Sequence, residues 1–231
     1  MDTGFGKIDA ILKGLRPGGY YLIGGRPAMG KSALAINIAM HVAVKEQKNV
    51  AYFTMDLAKE HIKHRMALIE SNANEEELCR NLIIDDTSLL SVRELGEKCR
   101  NFSATIGLDL IVVDFLTLLE GSLNEYANRW EEVYDVSKEI KELAQELQIP
   151  VIVVTIHPRN VEWRDEHRPK LDDLREWSME PIELDSDVIM FIYRDGYYNR
   201  YSESKNRAEV IIAKNRYENI TGTVILGWDY E

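Results

Sequence analysis

The residues best suited to chemistry form one run, Gly25-Arg26-Pro27-Ala28-Met29-Gly30-Lys31-Ser32, which fits the pattern G-x-x-x-x-G-K-[ST]. Glycines let such a backbone curl so that successive N–H groups face inward. With the positive end of a following helix, the curl cradles anionic oxygens. In that chemistry Lys31 reaches the outer phosphates of a nucleoside triphosphate and Ser32 offers a hydroxyl to Mg²⁺. The run from Gly25 to Ala33 is therefore the candidate nucleotide site. A carboxylate that completes a metal site of this kind normally ends a buried strand, where the carboxyl edge of the sheet opens. The stretch DLIVVD supplies Asp114 in that position. Hydrolysis also needs a group that orients or deprotonates the attacking water, and Asp56, at the end of VAYFTM, is the candidate. Taken alone, a glycine-rich run is also a plain turn, and a strand-ending Asp also starts turns.

These residues do chemistry only if elements hold them, and the flanking sequence predicts those elements. YYLIGG (20–25) reads as a buried strand entering the loop, and residues 32–47 read as a helix with few polar positions. Strand followed by loop followed by helix is the context the motif requires. Further strands are predicted at VAYFTM, LIID, DLIVVDF, PVIVVTI and DVIMFIYR, and further helices through AKEHIKHRMALIES and VRELGEKCRNFSATI. Val133, Val136, Ile140, Leu143 and Leu147 recur at steps of three and four, placing one apolar face on a long helix that stops before Ile149-Pro150. Short apolar runs alternating with amphipathic helices predict an α/β fold with a mainly parallel sheet flanked by helices. AEVIIAK and TVILGW around NRYENITG add an antiparallel hairpin at the C-terminal end. Residues 157–186, with three prolines, two tryptophans and mixed charge, predict a long loop region with short helical turns at most. No repeat or linker divides residues 1–231, so a single domain is expected.

Composition sets outer bounds. A chain of 231 residues that is 45% hydrophobic can bury a full core. A net charge of −11 argues against broad electrostatic wrapping of nucleic acid and leaves room for a narrow, local site. The cysteines, Cys79 and Cys99, have no metal-ligand spacing and read as reduced bystanders. No window approaches the roughly 20 apolar residues of a membrane span, and MDTGFGKIDA lacks the order of a signal peptide, so a cytoplasmic location is expected.

In order along the chain, GFGKID, GGRPAMGKSALAINIA, VAYFTMD, DLIVVDFLTLL, PVIVVT, RPKLDDLRE, SDVIMFIYRDGYYN and IIAKNR resemble the ATPase domain of DnaB-type replicative helicases, within the RecA-like superfamily. The resemblance covers nearly the whole chain. It implies a RecA-like P-loop NTPase that forms a hexameric ring, hydrolyses MgATP between subunits and moves on single-stranded DNA during replication, with a primase or a loader as further partners. By the same resemblance Arg216, with Lys214 beside it, reaches into a neighbour's site as an arginine finger. Taken alone, both read as solvated basic residues at a hairpin end. RPKLDDLREW (168–177) matches the family's central-channel loop region, where Arg175 and Glu176 align with positions near DNA and Trp177 and Ser178 follow as further DNA-binding candidates; without the family this is a charge-balanced solvated loop. Arg65 aligns with a helix near the nucleotide, and is otherwise a helix-surface arginine.

This chain also departs from the family. Asp56 stands where the family has Glu, withdrawing the carboxylate by one methylene, about 1.5 Å, so slow turnover is expected. The polar Ser-Gln sensor of the γ-phosphate becomes Thr155-Ile156-His157, so that either His157, with Thr155 as a further candidate, takes over that role or coupling is weakened. The loop after Arg175-Glu176 is longer and carries Trp177, which either stacks a base or packs beneath the loop. The helical segment between Ser71 and Leu82 is shorter. No N-terminal domain or linker helix is expected before Thr3, so a monomer is the expected alternative to the ring. Two rival functions follow: an ATP-binding switch that recruits DNA or a partner without unwinding, and a RecA-like signalling ATPase that acts on protein.

Overall fold

The strand sequences do not alternate between apolar and polar residues, so the sheet needs cover on both faces, and it has it. The computed structural model describes residues 1–69, 80–123, 126–156, 159–175 and 180–228. Its strands are β1 (Tyr20–Gly25), β2 (Val50–Thr54), β3 (Leu82–Asp85), β4 (Leu110–Asp114), β5 (Val151–Ile156), β6 (Val188–Tyr193), β7 (Arg207–Asn215) and β8 (Gly222–Gly227). They form one sheet in the order β3-β2-β4-β5-β1-β6-β7-β8. The pairings from β3 to β6 are parallel, and those of β6 with β7 and β7 with β8 are antiparallel. The mainly parallel sheet and its C-terminal hairpin are as the sequence implies.

Helices α1 (Gly6–Leu12), α2 (Lys31–Met40) and α3 (Lys59–Ile69) contribute Leu12, Ile36, Ile38 and Ile62 to a core on one face, against Tyr21, Ile23, Tyr52 and Val112. Helices α4 (Val92–Ile106) and α5 (Arg129–Leu147) contribute Leu95, Cys99, Val136 and Ile140 to a second core, against Tyr20, Leu22, Phe53 and Ile111. The period-two geometry of a strand divides neighbours such as Tyr20 and Tyr21 between the two cores. Ser91 and Glu94 form a reciprocal capping box at the start of α4, and Asn128 accepts the Trp130 and Glu131 N–H groups at the start of α5. Among the described residues no helix is long and apolar enough to cross a membrane.

One element differs from expectation. Residues 32–47 were expected to form one α-helix, but α2 ends at Met40 and His41–Lys45 continues as a π-helical turn. Periodicity cannot separate these, because both windings bury Val42 and Ala43. The long loop region carries a 3₁₀ turn at Arg159–Trp163 and two short helices, α6 (Leu171–Arg175) and α7 (Glu180–Asp185), in line with the turns expected there. A last short helix, α8 (Asp195–Tyr198), follows β6.

Candidate functional site

Parallel strands gather their carboxyl ends along one edge of the sheet, and here that edge brings the predicted residues together. The loop after β1 turns through Ala28 at φ +62° and Gly30 at φ +101°, and α2 begins at Lys31. Left-handed backbone at Gly30 suits glycine, which has no Cβ to clash. Buried Met29 anchors the loop below, while Pro27 and Ala28 are exposed and Ala33 is half-buried in the first turn of α2.

Lys31 is only 4% exposed, and its Nζ donates to the Arg26 carbonyl at 3.0 Å. Burial pushes the ammonium down to about 8, against the opposing pull of the Asp114 carboxylate. A buried cation with so little compensation favours an incoming anion. Ser32 Oγ donates to Asp114 Oδ1 at 3.1 Å, and Tyr52 Oη donates to Asp114 Oδ2 at 2.7 Å. Asp114 lies buried at the end of β4, next to Thr54 of β2 and Val154 of β5. Burial raises its carboxyl above the usual range, against the hydrogen bonds from Tyr52 and Ser32. Burial likewise holds the Tyr52 phenol well above its ordinary value, so it remains a donor. A hydroxyl beside a carboxylate is a hard oxygen pair, the donor chemistry that Mg²⁺ takes together with substrate phosphates.

The other predicted residues are more scattered. Asp56 is exposed beyond β2, and its charge acts on Asp114. Thr155 is fully buried opposite Gly24 of β1, and its hydroxyl makes no hydrogen bond among the described residues. Arg65 is exposed on α3, near enough for its charge to act on Tyr52. His157, Glu176, Trp177, Ser178 and Cys79 lie outside the described residues. Arg175 ends α6, whose base is fixed from within: Arg164 grips the buried Asp173 carboxylate with both terminal nitrogens, at 2.6 and 2.8 Å.

Arg216 stands at the other end of the sheet. It donates to Asp187 Oδ1 at 3.0 Å and to the Leu184 carbonyl at 2.9 Å, while Lys214 donates to the Glu183 carbonyl. Asp187 also accepts the Tyr20 N–H at 2.9 Å, which places this cluster where β1 begins. The phosphate loop begins where β1 ends. Six residues at about 3.3 Å per step separate the two by roughly 17 Å, well beyond the reach of an arginine side chain. Arg216 cannot serve the phosphate loop of its own chain.

Several residues around the loop escaped the sequence reading. Arg26 pairs with Glu162 at 2.8 Å, and the same carboxylate oxygen accepts from Tyr198 Oη at 3.0 Å. Arg194 donates to the Ala28 carbonyl at 3.0 Å, and its guanidinium lies 4.1 Å from the centre of the Trp228 ring. The Trp228 ring in turn lies against Gly30, where a Cβ would meet it at 2.3 Å. Tyr52, buried under Asp114, was read only as part of a strand. Arg26 and Glu162 are 136 positions apart and Ala28 and Arg194 are 166 apart. No local spacing could have announced such pairs.

The family model described as DnaB-like helicase C terminal domain matches residues 1–82 and 75–231. The replicative DNA helicase DnaB of Geobacillus stearothermophilus is 37% identical over 249 residues, spanning 99% of this chain and 54% of that protein. The replicative DNA helicase DnaC of Bacillus subtilis is 36% identical with the same coverage, so this chain spans about half the length of either relative. A solved structure described as a DnaB-like replicative helicase and its interactions with primase superposes with a TM-score of 0.87 at 31% identity, covering 99% of this chain and 61% of that one. The chain belongs to the DnaB-like helicase C-terminal domain family.

Proposed function

We infer that this chain is the ATP-hydrolysing motor of a replicative DNA helicase, binding MgATP on the Gly25–Ser32 loop and completing each site with a residue from a second copy. One arrangement carries the reading: buried Lys31 and the Ser32–Asp114 pair occupy the carboxyl edge of the sheet, while Arg216 is fixed at the opposite edge. On this reading the inward N–H groups of the loop and the Lys31 ammonium hold the phosphates. Ser32 and Asp114 hold Mg²⁺, which supplies positive charge to the phosphate oxygens when bound. Asp56 orients the attacking water, and the free Thr155 hydroxyl, with His157, reports the γ-phosphate. Arg216, with Lys214, stabilises the transferring phosphoryl group of the neighbouring copy. Residues 175–178 meet single-stranded DNA, and the Arg164–Asp173 clamp fixes the helix that leads into them. Ring formation and contacts with a primase or loader belong to the same proposal.

The test is ATP turnover with and without single-stranded DNA, in the native chain, in Lys31→Ala and in Arg216→Ala. Both variants should lose hydrolysis, Lys31→Ala by losing nucleotide and Arg216→Ala while still binding it. Mixing the two should restore some activity, because a Lys31→Ala subunit still carries a finger for the intact loop of an Arg216→Ala subunit. A native chain that binds no ATP at millimolar concentration would end the proposal. A second reading, an ATP-binding switch, is favoured by the shorter Asp56 side chain. It is separated by turnover that stays well below roughly 1 s⁻¹ even with single-stranded DNA present.

A further inference from the structure

Asp114 has two carboxylate oxygens, and the fold uses them differently. Oδ1 faces the Ser32 hydroxyl at the start of α2, and Oδ2 faces the Tyr52 phenol at 2.7 Å. Tyr52 is fully buried, and Asp114 is 2% exposed. The parallel pairing of β2 with β4 sets Tyr52 beside Val112, two residues before Asp114, and the Tyr52 ring packs in the core beneath α2. The phenol therefore has a fixed origin and a short, direct path to one oxygen. Rotating a carboxylate held this way to offer both oxygens to the Ser32 side would leave the Tyr52 phenol unpaired in the core, which disfavours it.

We propose that Tyr52 is a positioning residue that presents Asp114 through Oδ1 alone, so that the site favours small cations such as Mg²⁺ over Ca²⁺. The proposal rests on the nucleotide reading above and deepens it. The physical basis is the difference between the ions: Mg²⁺ is small and strictly octahedral and is bound through few protein oxygens, whereas Ca²⁺ takes more oxygens and accepts carboxylates in bidentate form. Partners that orient a metal-binding carboxylate change metal affinity by about 10–100-fold when removed. The Tyr52 phenol is the group that blocks bidentate binding here, and its removal frees Oδ2.

The experiment is fluorescence titration of a labelled, non-hydrolysable ATP analogue into the native chain, Tyr52→Phe and Tyr52→Leu, with Mg²⁺, with Ca²⁺ and with chelator. Each variant is first confirmed as folded by circular dichroism. The native chain is expected to need less Mg²⁺ than Ca²⁺ for half-maximal tightening. In both variants that preference should shrink by about tenfold or more, while binding in chelator stays as in the native chain. Two chemically different deletions are used so that one that fails to fold leaves the other to decide. A folded variant with the native Mg²⁺-to-Ca²⁺ ratio overturns the proposal and leaves the nucleotide reading intact. A native chain that binds no analogue, or binds it without regard to divalent cation, overturns both.

Discussion

Asp187→Asn is the perturbation whose effect follows most directly from the structure. Asp187 is 3% exposed and lies where β6 begins, accepting from the Tyr20 N–H, Arg216 and Lys141. The asparagine oxygen can still accept one of these bonds, but the charge is gone. Lys141, whose side chain is 13% exposed, then loses its paired carboxylate and keeps the Gly18 carbonyl and the charge of Asp185. Breaking such a pair costs about 3–5 kcal/mol. The half-exposed Arg216 adds at most about 1 kcal/mol, because solvent screens it. At about 2–4 °C per kcal/mol for a chain of this size, the melting midpoint should fall by about 6–24 °C.

The pH dependence gives an independent check. Burial pushes the Asp187 carboxyl upward, but the Lys141 ammonium and the Tyr20 N–H more than reverse this, so it lies below the usual carboxylate range. A folded-state value below the unfolded one stabilises the protein above about pH 4, and that contribution is lost as pH falls through the folded value. The midpoints of the native chain and Asp187→Asn should therefore converge in acid. Calorimetry from pH 3 to 8 measures both. A variant melting within about 2 °C of the native chain at neutral pH, less than 1 kcal/mol by the same conversion, would refute this account of the Asp187 cluster.

Gly30→Ala combines left-handed backbone with a Cβ 2.3 Å from the Trp228 ring. It should cost about 1–3 kcal/mol, weaken nucleotide binding and change tryptophan emission, all readable in one titration. Glu162→Gln removes the charge that faces Arg26 across a partly exposed pair. Melting should change by less than about 1 kcal/mol, while the apparent affinity for nucleotide falls because Arg26 belongs to the phosphate loop. Ser91→Ala deletes the reciprocal cap of α4 and should lower stability by about 1 kcal/mol with nucleotide binding unchanged, as chemical denaturation would report.

The residues legible in the sequence were those whose signal is local. The loop from Gly25 to Ser32 announces itself by spacing. Asp114 does so by ending an apolar run, and α5 by the recurrence of Val133, Val136, Ile140 and Leu143. Residues whose roles depend on the sheet order stayed hidden. Tyr52 reads as one more apolar strand position until β2 is placed beside β4. Glu162 and Arg194 read as ordinary charges until a turn after β5 and the end of β6 fold back over the loop. The π-helical turn at His41–Lys45 was invisible for a different reason, since it leaves the apolar stripe of α2 unbroken.

If Arg216 serves a neighbouring copy as proposed, its placement constrains how copies of this chain associate. If one edge of the sheet carries the phosphates and the opposite edge carries the guanidinium, each productive contact joins unlike surfaces. Every such contact leaves each molecule with one edge still unused. Association of this kind is heterologous: it closes into a ring when the rotation between neighbours divides a full circle, and otherwise grows as a helix. The number of complete sites then equals the number of molecules in a closed ring and is one fewer in an open chain. A single Arg216→Ala subunit in a ring would silence one site, the one it faces, and leave its own loop competent.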